Sequence, residues 1–278
     1  MNRSTQTYVL LVALAALAVV VVIFDLYGYP KIEGGWESYA GLIVLMALTA
    51  AAEGAAIRFS AGRAGLSPAL ITIVTAAQLF GPAVAVVMTA VSEAVGCFAI
   101  KKQGAIKSLF NTGQFTFAIG VGSIVYMSLG GTPSASAFDL RVSIIPLAGL
   151  IVAYFISNTS LVSGVIALDT NKRFRDVWQE VGPIAFVNDL GSSSFSLLLV
   201  FAFASSGIAG LLVLILPLLF VHHSYGVYLQ LLRQNKEILQ LLVKTIEAKD
   251  PYTSGHSLRV ARQCRELAEA IDLRPRVV

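Results

Sequence analysis

Two groups of residues in this chain have types and spacing suited to chemistry. The first is Asp250-Pro251-Tyr252-Thr253-Ser254-Gly255-His256-Ser257-Leu258-Arg259-Val260, near the C-terminal end. Pro251 interrupts a helix, Gly255 permits a sharp approach of the backbone, and His256 then opens a new helix with its imidazole free to bind metal. A lone histidine more often caps or packs, so a ligand role rests on the ten residues around it. The second group is Glu53, Glu93 and Asp189, accompanied by Asn111, Asn158, Asn188 and Gln114, all inside apolar runs. An ionisable side chain at the bilayer centre costs about 2.5 to 3.5 kcal/mol on insertion scales unless it is paired or hydrated. One reading is a polar pocket for a small ligand or cation. The other is hydrogen bonding between helices, with Arg58 snorkelling near Glu53 and Ser192-Ser193-Ser194 serving as small close-packing residues. Three acids without matching buried bases favour the pocket.

The first group, with Leu267-Ala268-Glu269-Ala270-Ile271-Asp272-Leu273 after it, resembles the opening of an HD-GYP domain, the phosphohydrolase module of bacterial cyclic-di-GMP turnover. In that family a helix runs into D-P-Y-T-x-G-H-S-x-R-V and continues as an apolar helix ending near L-A-x-x-L-x-L. The likeness covers roughly residues 245–273, about a tenth of the chain. It implies that His256 is a metal ligand. It also implies that a divalent metal centre, iron or manganese, activates a water that attacks phosphorus in a cyclic dinucleotide. Arg259 either faces substrate phosphate or pairs with a helix-end carboxylate. Some members carry a carboxylate ligand one turn before the histidine; here that place holds Tyr252. The His-Asp pair and the G-Y-P segment expected later in such a domain do not occur before Val278. The expectation is therefore a truncated domain with an incomplete metal site and no activity by itself.

Composition places most of the chain in a membrane. Hydrophobic residues make up 56% and charged residues 13% of the 278, where a soluble domain carries about a quarter charged, and the mean hydropathy is +0.76. The net charge of +4 does not indicate a nucleic-acid polymer, because no basic patch is interleaved with aromatics. Cys97 and Cys264 are too few and too far apart for a disulfide framework or a cysteine metal cluster. No Walker loop, G-x-S-x-G, H-E-x-x-H or dinucleotide-binding glycine pattern is present.

Apolar runs over residues 8–27, 36–57, 68–80, 83–100, 106–129, 142–168, 181–204 and 208–221 predict about eight crossings of an all-α polytopic bundle. The third run is short, and Gly81-Pro82 follows it. Runs three and four are either two crossings joined by a tight turn, or a re-entrant hairpin beside one full crossing. With the N-terminus inside, nine basic residues (Arg3, Arg58, Arg63, Lys101, Lys102, Lys107, Lys172, Arg173 and Arg175) fall in cytoplasmic segments, and two, Lys31 and Arg141, fall outside. That bias follows the positive-inside rule and puts both termini in the cytoplasm of a bacterial inner membrane. Asn111 and Asn188 each stand about two turns inside a run entering from the cytoplasm, a faint sign of internal duplication.

Residues 1–221 thus read as a membrane input domain, 222–249 as a signalling helix, and 250–278 as the start of the HD-GYP domain. Along the signalling helix Tyr228, Leu231, Leu232, Ile238, Leu239, Leu242 and Ile246 recur by threes and fours, with Asn235 interrupting them. This stripe pairs two copies as a parallel coiled coil over residues 228–246, or packs on the chain's own HD domain. The function expected is a membrane-anchored signalling protein whose complete form hydrolyses cyclic-di-GMP. The competing readings are a transport or solute-binding protein with a regulatory tail, and an HD phosphohydrolase for other nucleotides.

Overall fold

The computed structural model describes residues 3–32, 35–59, 68–134, 140–249 and 256–271. They form α1 (Arg3–Tyr27), α2 (Gly35–Phe59), α3 (Pro68–Phe80), α4 (Pro82–Val95), α5 (Ala105–Ser128), α6 (Leu140–Thr170), α7 (Phe174–Lys249) and α8 (His256–Ala270). A π-helical turn, Gly96–Ile100, extends α4. No strand occurs among the described residues. Four helical stretches are long and apolar enough to cross a membrane: Arg3–Tyr27, Pro82–Ile100, Ile144–Thr170 and Phe174–Leu214. Gly35–Ala50 and Ala69–Phe80 are apolar but shorter. The chain is an all-α, multi-pass membrane protein.

The packing of the first unit, Met1–Leu218, follows from side-chain size. On α5, Gly113 lies against the backbone of Ala13, where a Cβ would come within 3.2 Å, and Gly120 lies against Val19 and Ile23. These glycines, seven apart, let α1 and α5 pack closely, as small residues do between membrane helices. Gly122 does the same towards α6, where a Cβ would stand 3.0 Å from the Leu150 carbonyl. The pairings give direction. Residues 8 and 13 of α1 lie level with 110 and 113 of α5, so α1 and α5 run parallel. The pairs 97 with 111 and 86 with 120 make α4 antiparallel to α5; Tyr8 meets both Phe110 and Leu161, so 110 stands level with 161, and with 122 against 150 this makes α6 antiparallel to α5 as well.

α3 sits at the centre. Residues 69–79 are all buried, and most of its side chains belong to the main apolar cluster. A helix hydrophobic on every side is one surrounded by protein. Its 13 residues rise about 20 Å, short of the ~30 Å hydrocarbon core. Gly81 ends it with φ 85° and ψ 177°, an arrangement open to glycine, and Pro82 starts α4 at once. The turn is covered: Pro133 lies against Gly81, and Ser134 N–H donates to the Gln78 carbonyl at 3.1 Å.

α7 cannot be one crossing, because its apolar stretch Phe174–Leu214 has 41 residues, about twice the length a bilayer needs. Gly207 resolves this with φ 57° and ψ −142°. The chain doubles back there, since a Cβ on Gly210 would collide with the Ala202 carbonyl oxygen; eight residues along a straight helix would separate the two by about 12 Å. The break expected between residues 204 and 208 is therefore a helical hairpin. Its first arm buries one stripe, Asp189, Ser192, Ser193, Ser196, Leu199, Val200 and Phe203. Phe203 meets Phe80 of α3 edge-on at 6.0 Å, and Phe155 of α6 meets Trp178 and Phe186.

One end of this unit carries the backbone positions of Arg3, Arg58, Lys101, Lys102, Lys107, Lys172, Arg173 and Arg175, and the opposite end carries those of Lys31 and Arg141. Arg63 lies outside the described residues.

The second unit comprises Leu219–Val278, a division three residues before the boundary expected at 221/222. Within it Tyr228, Leu231, Leu232, Ile238, Leu239 and Leu242 are all about half exposed, as is their neighbour Leu241, and Asn235 is exposed beside them. The Ile246 side chain lies outside the described residues. α8 starts at His256, where the sequence places a new helix.

The Gly207 turn gives a direct test. Its φ is strained for any L-residue, and a Cβ would stand 2.7 Å from Glu37 Oε2. Gly207→Val should destabilise the purified protein by about 1–3 kcal/mol, read as a lower Tm in detergent. Ser206→Ala, one residue earlier and exposed, should leave Tm within error.

Candidate functional site: polar layers inside the membrane unit

Hydroxyl groups enter this bundle at low cost because their protons return to their own helix. Thr49, Thr75, Thr89 and Ser196 donate to carbonyls three or four residues earlier at 2.7–2.8 Å. Thr49 and Thr72 also meet across α2 and α3 at 2.7 Å. What remains after this local pairing marks where polar atoms have work outside their own helix.

A first layer crosses α4, α5 and α6. Glu93 is buried on α4. The α4–α5 pairings, 97 with 111 and 86 with 120, place it level with Gln114. The α5–α6 pairing, 122 with 150, places Asn158 at that height too. Gln114 Oε1, Thr112 Oγ1, Thr116 Oγ1, Asn158 Oδ1, Thr159 Oγ1 and Ser163 Oγ are buried without a hydrogen-bond partner among the described residues. Glu93, Gln114 and Asn158 therefore share one height of the bundle. Gln114 was legible as polar within an apolar run; its place beside Glu93 comes from the helix register.

Asn111 does not join that layer. Its Nδ2 donates to Gln103 Oε1 at 3.1 Å and approaches Cys97 Sγ at 3.8 Å. It braces the π-turn and the α4–α5 connection, where Lys102 adopts φ 47°. Cys97 is buried and Cys264 exposed.

A second layer lies between α3 and the first arm of α7. Gln78 Nε2 donates to Ser196 Oγ at 3.0 Å and reaches the Val74 carbonyl at 3.4 Å. Below Ser196 on the same face come Ser193, Ser192 and Asp189, all buried. Asn188 turns its amide to Asp189 Oδ1 at 3.5 Å. Asn188 is the fifteenth residue of α7, whereas Asn111 is the seventh of α5. The two asparagines thus stand at unequal depths and make different contacts, so they give the suggested duplication no support. Sequence reasoning missed Gln78 and the serines as site residues; serine in an apolar run reads first as a small residue for close packing.

Glu53 lies on α2, but its side chain is outside the described residues, as is that of His256 at the first position of α8. Arg259 is exposed on α8. No group of three or more His, Cys, Asp or Glu side chains placed to hold a metal ion occurs among the described residues. The unpartnered side-chain atoms of the first and second layers among the described residues are oxygens.

Against known proteins, the family model MASE9 matches residues 9–226, which takes in both polar layers and the α7 hairpin. No curated protein and no solved structure matches the chain.

Proposed function

The chain belongs to the MASE9 family of membrane-associated sensor domains, and from that premise we propose that it is the input part of a membrane-anchored cyclic-di-GMP phosphodiesterase of HD-GYP type. The observation that carries the enzymatic half is Asp250 to Val260, D-P-Y-T-S-G-H-S-L-R-V, which stands beyond the family match and leads into α8. His256 is the metal ligand in this reading and Arg259 a candidate partner of substrate phosphate. In this reading iron or manganese would supply an activated water, and this chain would contribute His256, the first residue of α8.

The membrane half supports the same direction of signalling. Eight passes are read from α1, α2, α3, α4 with its π-turn, α5, α6 and the two arms of α7. The end rich in Arg and Lys is cytoplasmic. An even number of passes delivers the tail to the compartment that holds cyclic dinucleotides, within a bacterial inner membrane. Half-exposed Leu231, Leu232, Ile238, Leu239 and Leu242 are covered by a second copy, with Asn235 fixing the register. A change in the bundle then reaches the enzyme as a shift between two packings of this coiled coil, which needs a difference of only a few kcal/mol.

Two substitutions test the halves separately. In a chain carrying the complete domain, His256→Ala should remove bound metal and abolish cyclic-di-GMP hydrolysis while the membrane part keeps its Tm; unchanged metal content and activity would refute the assignment. Single cysteines placed from Leu229 to Ile246 should crosslink in membranes with a period near 3.5 residues, peaking on the Asn235 face. Uniform or absent crosslinking would show that the stripe packs within one chain.

A further inference from the structure

We infer that the seam between α3 and the first arm of α7 binds a monovalent cation of sodium-ion size, held by the Asp189 carboxylate and the Ser192 hydroxyl, within two helical turns of the Gln78–Ser196 bond. The inference rests on the reading of the membrane unit as an input module, and it names the ligand class that the module takes.

Asp189, Ser192, Ser193 and Ser196 fall at i, i+3, i+4 and i+7, one face of a helix, and none is more than 4% exposed. Ser196 is fully committed: its hydroxyl donates to the Ser193 carbonyl at 2.7 Å and accepts from Gln78 Nε2 at 3.0 Å. That second bond fixes the Gln78 side chain, 3% exposed, by its nitrogen and leaves Oε1 without a partner. Ser192 Oγ and Asp189 Oδ2 have no hydrogen-bond partner either among the described residues. The amide of Asn188 reaches only Oδ1. The unused atoms are therefore oxygens from three side chains, on two facing helices, with one formal negative charge among them.

That donor set selects its ligand. Carboxylate, hydroxyl and amide oxygens are hard donors that suit alkali and alkaline-earth cations and leave soft metals to thiolate and imidazole. A single carboxylate matches one positive charge, whereas protein calcium sites gather several carboxylates and carbonyls. The depth fits as well. Asp189 is the sixteenth of the 33 residues between Phe174 and the Gly207 turn, the middle of the arm, where membrane proteins place coupling-ion sites. α3, buried along residues 69–79, is a polar-atom carrier shielded from lipid. A cation there would join α3 to the α7 hairpin, whose second arm leads into the signalling helix.

The test uses the full chain in lipid nanodiscs, with thermal unfolding and radioactive sodium binding measured in sodium, potassium or choline chloride at constant ionic strength. Sodium should raise Tm saturably where choline does not. Asp189→Asn should abolish saturable binding and flatten the sodium dependence, while Gln114→Leu, in the other layer, should keep both. Ser192→Ala, which changes little volume, should weaken half-saturation by about tenfold or more, as expected when a site loses one of few ligands. A Tm indifferent to the cation would overturn the inference. So would a rise brought by acid alone, or sodium binding that both Asp189→Asn and Ser192→Ala leave intact. If Asp189→Asn fails to fold, Ser192→Ala decides. None of these readouts depends on dinucleotide hydrolysis, so a negative result here leaves the enzymatic reading standing, and the converse holds.

Discussion

Hydrocarbon offers no water to satisfy an interrupted backbone, so a chain that breaks its helices at membrane depth must do so inside protein. That constraint governs this bundle. α3, at 13 residues, is shorter than the hydrocarbon core is thick and ends at Gly81 in a conformation no helix uses, yet its residues 69–79 are all buried. α2, α4 and the first arm of α7 wall it in through the Thr49–Thr72 bond, the Gly81-Pro82 turn and the Gln78–Ser196 bond. α1, α5 and α6 then close on one another through Gly113, Gly120 and Gly122. The polar layers exist because α3 and α5 are shielded from lipid; the same side chains facing acyl chains would cost their full insertion penalty.

Much of this was legible in composition. The apolar runs matched the bounds of α2 to α6, the π-turn included, within two residues, and the basic loops sorted to one end as charge counting expects. The break between residues 204 and 208 announced the α7 hairpin, although Gly207 alone turns the chain. α3 was the ambiguous element for a physical reason: an apolar helix without a polar side has no periodicity to say which face is buried, so a short crossing and a re-entrant segment look alike. Length and burial now identify it as the central helix.

The candidate site was half legible. Asp189 and Glu93 stood out because charge in an apolar run has a known cost, and both are buried. The cross-helix arrangement around them was hidden by register, which one sequence does not reveal. Gln114 meets the height of Glu93 only once α4 and α5 are seen to run antiparallel, and Gln78 meets Ser196 from 118 residues away. Asn111 shows the opposite failure: a polar residue within a span that serves a turn, through Gln103 and Cys97. In the tail, local pattern was enough to expect that α8 begins at His256, because proline and glycine act on their immediate neighbours.

The proposed function requires a bundle that crosses the membrane an even number of times, with both of its ends in the cytoplasm. Reporter fusions after Arg3, Thr132 and Arg233 measure this directly. The account predicts cytoplasmic signals at Arg3 and Arg233 and an external signal at Thr132. An external signal at Arg233 would contradict it, removing one pass from the bundle and placing the His256 segment on the side of the membrane without its proposed substrate.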